Sequence, residues 1–196
     1  RQQKRGGKGK IATTMKEEDF VEDIFVTSTH NYILFFTDKG RVYWLKAFMI
    51  PQSNRYSKGK AIINLLNLKD EKVNTILPIQ NFDDQNYLLF VTKNGLIKKT
   101  NLKYYSNPRK AGINAISIKG NDELIQVRLT PGFLEFMVAT KKGLAMRFNE
   151  KDVRSSGRNS SGVRGIKIGK NDEVIGIEVA LLNGSLLTVT ENGYGK

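Results

Sequence analysis

The sequence predicts an all-β protein of the propeller type, in which small antiparallel sheets pack side by side as blades. Three observations predict this class: a period of roughly 50 residues, short apolar runs rich in Val, Ile, Phe and Tyr, and glycine-containing turns between those runs. No segment shows an apolar stripe at helical spacing with caps at its ends. At 196 residues, the chain is long enough to bury a sizeable core.

Three sequence markers recur with one period. A Thr-x-x-Gly turn follows an apolar run four times, and its glycines are spaced by 55, 48 and 50 residues. A glycine opens an apolar strand four times, with spacings of 50, 53 and 50 residues. An acidic pair precedes a strand three times. The members are Gly40, Gly95, Gly143 and Gly193 for the turn, Gly9, Gly59, Gly112 and Gly162 for the strand start, and Asp70-Glu71, Asp122-Glu123 and Asp172-Glu173 for the acidic pair.

The second repeat shows how one period is built. Its apolar runs predict four strands, near residues 73–80, 86–92, 96–100 and 112–118. Four strands are the content of one propeller blade, and the glycine of each turn supplies the positive φ that tight hairpins need. Because the last repeat lacks its basic loop and final strand, we expect three full blades and part of a fourth, as a piece of a larger β domain. The expected repeats of this single domain, 1–196, span about 9–58, 59–111, 112–161 and 162–196.

The composition excludes several classes of protein. No apolar run approaches the roughly 18 residues of a membrane-spanning helix, and the absence of cysteine excludes disulfides and zinc–thiolate sites. A single histidine, His30, cannot form a histidine metal cluster. No signal peptide precedes the basic first residues, which predicts an intracellular protein.

The net charge of +13 favours a polyanionic partner, nucleic acid above all. Closely spaced phosphates release counterions when Lys and Arg replace them, and this release favours binding. A longer basic connection follows the third strand of the repeats, within residues 55–58, 98–110 and 154–161. The alternative is that the charge only keeps the protein soluble.

No group of residues predicts catalysis. The acidic pairs recur at one phase of the repeat, and an element shared by every repeat serves the architecture, so we interpret them as turn residues. Asp83 and Asp84 lie in a polar hairpin loop and are expected to be solvated, and His30 is expected to be a turn residue. Tyr43 and Trp44 have rings that can stack on bases. Their strand favours packing instead, with one ring in the core and the other at the surface.

The N-terminal segment 3–9 is glycine-rich and basic, and four interpretations apply to it. It lacks the Ser or Thr that a Walker A loop needs after its lysine. A dinucleotide fingerprint fits residues 7–12 in spacing only, because no strand precedes it and no βαβ unit contains it. The third interpretation is a loop that approaches nucleic acid, with Lys4, Arg5 and Lys8 at phosphates, and the fourth is a disordered basic tail. The loop is favoured, because Gly9 lies one period before Gly59, at the position that the basic loop occupies in the later repeats.

The residues Gln3-Lys4-Arg5-Gly6-Gly7-Lys8-Gly9 resemble the seven-residue box of the C-terminal domain of the DNA gyrase A subunit. The usual form is Gln-Arg-Arg-Gly-Gly-Lys-Gly, so Lys4 is the only departure. Lysine keeps the positive charge but cannot make the bidentate hydrogen bonds of an arginine guanidinium. The likeness extends along the chain, through residues 28–31, 40–44, 162–166 and 191–196. The family fold is a β-pinwheel, a propeller-like disc whose blades exchange an outer strand, so the resemblance implies an incomplete pinwheel.

The resemblance also implies a DNA-wrapping domain that is not itself catalytic. In the family, duplex DNA bends around the basic rim of the disc, and the box fixes the path of the DNA so that the wrap has a single handedness. The wrapped arm reaches the ATP-driven strand-passage gate of the parent type II topoisomerase, which introduces negative supercoils. The implied partners are double-stranded DNA, the N-terminal domain of the gyrase A subunit, and the gyrase B subunit.

This resemblance places the chemistry elsewhere in the parent enzyme. ATP and Mg²⁺ are used by other domains or subunits, and the nucleophilic tyrosine lies in an upstream domain. No cofactor, metal or catalytic residue is therefore expected in this chain. The expected location is the cytoplasm, in association with the nucleoid.

Bending a duplex needs many contacts, because turning roughly 40 base pairs through about 180° costs on the order of 10 kcal/mol. We expect DNA binding by the box residues Gln3, Lys4, Arg5, Gly6, Gly7, Lys8 and Gly9. Rim contacts are expected from cations that repeat blade by blade: Arg55, Lys58, Lys60, Lys98, Lys99, Arg109, Lys110, Arg154, Arg158, Arg164 and Lys167. Because phosphates carry no base identity, the binding is expected to tolerate changes of DNA sequence.

Three alternatives are considered at the level of sequence. The C-terminal domain of topoisomerase IV shares the blades but usually has a degenerate box, and the nearly intact box here favours gyrase. A propeller-like protein-interaction module would use its charge for solubility and bind a peptide on one face of the ring. An ATP-binding enzyme is the weakest alternative, because the sequence has no acceptable nucleotide loop.

Overall fold

The computed structural model describes residues 23–54, 57 and 59–195, and this part of the chain is all-β, as predicted. No helix among these residues is long and apolar enough to cross a membrane. Short 3-10 turns connect some of the strands, at Ala47–Met49, Ile62–Asn64, Leu102–Tyr105 and Glu150–Asp152. The strands are β1 Tyr32–Thr37, β2 Arg41–Lys46, β3 Val73–Ile79, β4 Tyr87–Thr92, β5 Leu96–Asn101, β6 Ile113–Asn114, β7 Leu124–Thr130, β8 Glu135–Thr140, β9 Ala145–Asn149, β10 Val163–Arg164 and β11 Val174–Val179.

The strands form antiparallel sheets that follow one plan. A hairpin makes the centre of each sheet: β1–β2 in the first, β4–β5 in the second and β8–β9 in the third. The first strand of each hairpin also pairs with a later strand: β1 with β3, β4 with β7 and β8 with β11. On the other side, the first two hairpins are covered by a two-residue strand from farther along the chain, with β6 beside β2 and β10 beside β5.

The strands predicted in the second repeat exist, but they belong to two sheets. β3 and β6 join the first sheet, while β4 and β5 form the hairpin of the second. Three of the predicted strand positions are therefore confirmed, whereas the strand predicted near 112–118 is only the two-residue β6, Ile113–Asn114. The blades exchange strands, as the resemblance implied. Periodicity alone does not assign a strand to a sheet, because the assignment depends on pairs far apart in sequence, such as Val42 with Ile113.

Each Thr-x-x-Gly turn closes its hairpin with the same hydrogen bonds. In the first turn, the amide of Gly40 donates to the carbonyl oxygen of Thr37 at 2.9 Å, and the amide of Arg41 donates to the Thr37 hydroxyl at 3.2 Å. Gly40 has a φ of +75°, a conformation that favours glycine. The turns that end at Gly95 and Gly143 repeat both bonds. Turn geometry therefore explains the threonine and the glycine of this motif.

The acidic pairs are turn residues, as predicted. Asp122 Oδ1 accepts hydrogen bonds from the amides of Asn94 and Glu123, both at 2.9 Å. Asp172 makes the equivalent pair of bonds in the third sheet. Each aspartate therefore ties the start of a strand to the hairpin turn of the same sheet.

Other polar residues singled out in the sequence also have structural roles. His30 lies exposed in a turn, as predicted. Asp84 is exposed, as expected, but Asp83 is half-buried and accepts hydrogen bonds from Gln85 and Asn86. Asp83 therefore organises its loop in addition to contacting solvent.

The second sheet is buried on both faces. Leu88 and Phe90 of β4 pack in a core shared with the first sheet, and Leu89 and Val91 pack in a core shared with the third. A strand that is covered on both faces reads as a continuous apolar run, which explains the runs in the sequence.

Tyr43 and Trp44 are both buried, which corrects the expectation that one of them lies at the surface. Trp44 packs in the core between the first and second sheets, and Tyr43 packs on the opposite face of the first sheet with Leu66. Side-chain alternation therefore holds along β2. The chain around Leu66 covers the outer face of the sheet, and the sequence pattern of β2 does not reveal that cover.

Candidate nucleic-acid interface

The contacts between sheets distinguish their inner edges from their outer edges. The amide of Val127 on β7 donates to the hydroxyl of Thr75 on β3 at 3.1 Å. The amide of Ile177 on β11 donates to Gln126 Oε1 on β7 at 2.9 Å. Strands β3, β7 and β11 therefore lie next to one another at the inner edges. β6 and β10 close the opposite edges of the first and second sheets, and we call these edges the outer rim.

A basic loop leads to each of these outer strands. The first basic loop, residues 106–111, connects the turn after β5 to β6, and the second basic loop, residues 154–161, connects the turn after β9 to β10. Gly112 and Gly162 follow the loops with φ of +67° and +84°. A Cβ at Gly162 would lie 2.5 Å from the carbonyl oxygen of Ile97 on β5. Each loop therefore crosses tightly onto the outer edge of the preceding sheet.

Most of the described rim cations that the sequence predicted are available to a ligand. Those with exposed side chains are Lys60, Arg109, Lys110, Arg154, Arg164 and Lys167, and Arg158 is half-buried. The ion pairs found among residues 23–54, 57 and 59–195 include none of these cations. Their charge is therefore not neutralised by a neighbouring carboxylate in the described part of the chain.

Some cations near the hairpin turns are paired instead. Lys93 Nζ lies 3.6 Å from a carboxylate oxygen of Glu123 and 3.4 Å from one of Glu173, and Lys141 Nζ lies 3.5 Å from the other oxygen of Glu173. The charges of Glu123 and Glu173 raise the pKa of Lys93. Carboxylates therefore neutralise Lys93 and Lys141, whereas Lys142 of the same turn donates to the carbonyl oxygen of Lys170 and has no ion pair in the described part of the chain.

Lys98 and Lys99 were predicted at the rim, but β5 buries both side chains. Lys98 Nζ donates to the carbonyl oxygens of Ala115 and Arg158, both at 2.7 Å, and Lys99 Nζ donates to that of Glu150 at 2.6 Å. Burial, with a smaller contribution from the charge of Arg158, lowers the pKa of Lys98 to about 7. Burial also lowers the pKa of Lys99. Because both side chains are buried and donate to backbone carbonyl oxygens, neither lysine belongs to the proposed DNA contacts.

Some predicted DNA-binding residues lie outside the described residues. They are the box, residues 3–9, and the rim residues Arg55 and Lys58. Their role in binding stays a prediction. Among the residues that the structure does describe, no group of three or more His, Cys, Asp or Glu side chains is placed to hold a metal ion.

Arg41 holds the end of the first basic loop, and the sequence analysis did not predict this role. Its guanidinium donates to the carbonyl oxygens of Ala111 and Gly112, at the end of the first basic loop. The carboxylate of Glu71 lies 3.5 Å from Arg41 Nε and neutralises it. The equivalent residue after the next turn is the apolar Leu96, so the repeat pattern carries no signal for this role.

A cavity lies between each basic loop and the second strand of the preceding hairpin. The cavity at the first loop has a volume of about 410 Å³ and is lined by residues that include Trp44 and Arg109. The cavity at the second loop has a volume of about 430 Å³, and its lining includes Arg154, Ser156 and Ser160. Guanidinium groups beside neutral hydrogen-bonding groups are a combination that suits phosphate oxygens.

The chain matches one family model along most of its length. The model is described as "DNA gyrase C-terminal domain, beta-propeller", and it matches residues 1–28, 31–80, 86–131, 134–180 and 184–196. The matched segments include both basic loops and the box.

Curated relatives show the same similarity. The chain is 46% identical over 195 residues to the DNA gyrase A subunit of Buchnera aphidicola, a match that covers 99% of this chain and 23% of that protein. It is 53% identical over 164 residues to the DNA gyrase A subunit of Clostridium acetobutylicum, covering 83% of this chain and 20% of that protein. The chain therefore spans about a fifth to a quarter of the length of these relatives.

Solved structures share the architecture. The C-terminal domain of DNA topoisomerase IV aligns with a TM-score of 0.84 and 29% identity, over 94% of this chain and 58% of that chain. The DNA gyrase A C-terminal domain aligns with a TM-score of 0.72 and 29% identity, over 94% of this chain and 62% of that chain. Both domains therefore have the fold described above.

Proposed function

Because the chain belongs to the DNA gyrase C-terminal domain family, we propose that it binds duplex DNA along its outer rim and wraps it without catalysing a reaction. The observation that carries this proposal is the separation of charge described above. Cations without acidic partners recur on both basic loops, whereas Lys93 and Lys141 at the hairpin turns are paired with Glu123 and Glu173. Free cations repeated on successive basic loops attract the phosphates of a duplex and release their counterions.

The recurrence of the cations matters because wrapping is energetically costly. Smooth bending of roughly 40 base pairs through about 180° costs on the order of 10 kcal/mol. One patch of two or three cations does not offset that cost, but a set repeated on successive blades can. The exposed pair Arg109 and Lys110 on the first basic loop has its counterpart in Arg154 and Arg158 on the second. Contacts of this type hold the backbone and read little base identity.

In the parent enzyme, the wrapped duplex would be presented to the strand-passage gate. The box at residues 3–9 supports a wrap of a single handedness. Such a chiral wrap lets ATP-driven strand passage introduce negative supercoils. The partners in this proposal are the N-terminal domain of the gyrase A subunit, together with the gyrase B subunit. The site of action is the cytoplasm, where the nucleoid supplies the DNA.

The similarity to the topoisomerase IV domain, with a TM-score of 0.84, supports a second candidate function, that of a topoisomerase IV C-terminal domain. A domain of that enzyme would share the rim but would not be expected to impose the same chiral wrap. The nearly intact box, in which Lys4 is the only departure from the usual form, supports the gyrase role. The two candidates differ in the effect of the bound chain on DNA topology.

A linking-number measurement tests the wrap. The chain is bound to closed circular DNA, a relaxing topoisomerase is added, the protein is removed, and the topoisomers are separated on a gel. A shift of one sign that grows with the amount of bound chain is expected, and the same reaction at a salt concentration that prevents binding is the control. Binding without a shift would overturn the wrapping proposal and leave a simple DNA-binding module. Absence of binding at low salt would overturn the DNA partner itself and favour a protein-interaction module.

A further inference from the structure

We propose that Lys98 is a positioning residue that fixes the second basic loop, residues 154–161, so that the cations of this loop are held at the rim. The proposal rests on the proposed function only for the role of the loop in DNA binding. Lys98 lies on β5 and its side chain is 1% exposed, so it acts from inside the protein.

The Lys98 nitrogen joins separate parts of the chain. It donates to the carbonyl oxygen of Arg158 in the second basic loop and to that of Ala115, which follows β6. The Ala115 oxygen also accepts a hydrogen bond of 3.1 Å from the hydroxyl of Tyr105. The second sheet, the chain next to β6 and the second basic loop therefore meet at one buried amine.

Neighbouring hydrogen bonds hold the same loop through its backbone. The Ser117 hydroxyl donates to the carbonyl oxygen of Asn159 at 2.7 Å, and the Ser117 amide donates to that of Ser160 at 3.0 Å. Together with the bond from Lys98 to Arg158, three successive loop carbonyls are bound to the body of the protein. Ser156 anchors the start of the loop, because its amide donates to the carbonyl oxygen of Lys99 at 2.9 Å. The backbone is held, while the Arg154 and Arg158 side chains have no acidic partner in the described part of the chain.

The equivalent positions in the other hairpins show that a lysine is not required for packing. Lys98 pairs with Phe90 across its hairpin, in the register of Tyr43 with Phe35 and of Met146 with Val138. A buried lysine costs free energy that a methionine does not, so its presence here needs an explanation. The two carbonyl acceptors provide one, because the amine is hydrogen-bonded to both.

The first basic loop is held in a different way that leads to the same result. The guanidinium of Arg41 donates to the carbonyl oxygens of Ala111 and Gly112, and Glu71 neutralises its charge. A cation that binds loop carbonyls from the body of the preceding sheet is therefore present at both loops. In each case this cation holds the loop backbone in place, and other cations of the loop have no ion pair in the described part of the chain.

Lys98→Met is the test variant, because Met146 already occupies the equivalent position in the third hairpin. Hydrogen exchange of the 196-residue chain without DNA measures the order of the loop. We expect faster exchange at the amides of residues 154–161 and unchanged protection of β4 and β7. Affinity for a short duplex is then measured at several salt concentrations, and we expect about three- to tenfold weaker binding, because binding must now order the loop.

The dependence of affinity on salt separates positioning from direct contact. A cation that contacts a phosphate contributes about 0.9 to the slope of log affinity against log salt. Lys98→Met is expected to keep the slope of the unmodified chain. The matched control Arg158→Gln, which removes a side chain proposed to touch DNA, is expected to lower the slope by about 0.9 while leaving loop exchange unchanged. A fall of the slope in Lys98→Met would show direct contact and overturn the proposal, and so would unchanged loop exchange.

A second variant covers the case in which Lys98→Met fails to fold. Ser117→Ala removes the hydroxyl donor to Asn159 and leaves Lys98 in place, and it is expected to increase exchange over the same loop. Normal loop exchange in a folded Ser117→Ala would overturn the idea that these bonds to carbonyls order the loop. If the unmodified chain does not bind DNA, the proposed function fails, whereas the exchange experiments still decide the positioning role.

Discussion

Trp44 on β2 donates a hydrogen bond of 3.0 Å from its indole nitrogen to the backbone carbonyl oxygen of Tyr105, which ends the 3-10 turn after the second hairpin. Lys99 occupies the equivalent register position on β5, and its nitrogen donates to the carbonyl oxygen of Glu150 in the next 3-10 turn. A side-chain donor on the second strand of a hairpin therefore binds the turn that leads to the following basic loop. These donors connect successive blades just inside the rim.

Trp44→Phe should destabilise the protein by about 1–3 kcal/mol, because the carbonyl oxygen of Tyr105 would lose its buried donor. The free energy of unfolding is measured by urea denaturation. Tyr104→Phe is the control, because Tyr104 is exposed and its change should stay within about 0.5 kcal/mol. Equal effects of the two substitutions would contradict the importance of the indole hydrogen bond.

Gly95→Ala should destabilise the protein more than Gly143→Ala. Both glycines end a Thr-x-x-Gly turn, with φ of +83° and +86°. Alanine therefore costs about 1–2 kcal/mol at either position through backbone strain. A Cβ at Gly95 would also lie 2.6 Å from the carbonyl oxygen of Ile166, whereas a Cβ at Gly143 would have no neighbour within 4 Å.

The additional cost at Gly95 should exceed about 1 kcal/mol, because the backbone at Ile166 must shift. Urea unfolding of the two variants under identical conditions gives this difference directly. A difference near zero would mean that the turn alone decides the need for glycine, and that the close approach of the next strand segment does not.

Stability should rise with pH above neutrality, and Lys98 should cause part of that rise. Burial lowers the pKa of Lys98 from 10.5 to about 7 in the folded state. Between these values the unfolded chain binds one more proton than the folded chain, so raising the pH favours folding by up to roughly 1 kcal/mol per pH unit. Below about pH 7 both states are protonated and this dependence disappears.

Lys98→Met provides the comparison that isolates this effect. The free energy of unfolding is measured for both proteins from about pH 6.5 to about pH 9.5, and the difference between them should grow in favour of the lysine protein above about pH 7. The hydroxyl of Tyr105, which shares the carbonyl oxygen of Ala115 with Lys98, does not produce that difference, because burial raises its pKa. Lys99, whose pKa is also lowered, is present in both proteins. Parallel pH profiles would show that Lys98 remains protonated inside the fold.

Neutralising free rim cations should weaken DNA binding and its dependence on salt. For Arg109→Gln with Lys110→Gln, the slope of log affinity against log salt should fall by about 0.9 for each phosphate that the rim no longer binds. The control is Lys93→Gln with Lys141→Gln, which removes the same number of charges from ion pairs at the turns. If both double variants lower the slope equally, net charge and not the rim governs binding.

Replacing the box cations should abolish supercoiling that depends on wrapping. Lys4, Arg5 and Lys8 are changed together to alanine in the full-length parent protein, and gel assays compare supercoiling with ATP to relaxation without it. Supercoiling should be lost and relaxation retained, because the proposed function assigns strand passage to other domains and only the wrap to this one. The control replaces the ion-paired residues Lys39, Lys93 and Lys141 with alanine and should retain both activities. Unchanged supercoiling in the box variant would defeat the assignment of the box.

Much of the fold follows from local signals in the sequence. The glycine of each Thr-x-x-Gly turn has a positive φ, and the threonine hydroxyls accept hydrogen bonds from nearby backbone amides. Asp122 and Asp172 do the same, so these motifs mark hairpin ends. The apolar runs mark strands covered on both faces. The exchange of β6 and β10 between sheets did not follow from these signals, because it depends on pairings such as Val163 with Ile97, which are distant in sequence.

The candidate site was predicted less completely than the fold. Arg109 and Lys110 are exposed on a basic loop, as expected, whereas Lys98 and Lys99 are buried although they belong to the same basic stretch of sequence. Arg41 binds the end of the first basic loop and gave no signal in the repeat pattern. A row of lysines and arginines shows the sign of the charge but not the direction of each side chain.

The sequence by itself determined the period, the all-β class, the positions of the hairpins and the excess of positive charge, because each of these depends on composition or on residues close together in the chain. Only the tertiary structure decided which cations remain free. Packing of the second basic loop against β5 surrounds Lys98 with carbonyl oxygens, and placement of Glu173 between Lys93 and Lys141 neutralises those two lysines. The physical reason is that solvation and ion pairing depend on neighbours in space, and the chain brings those neighbours together only when the blades assemble.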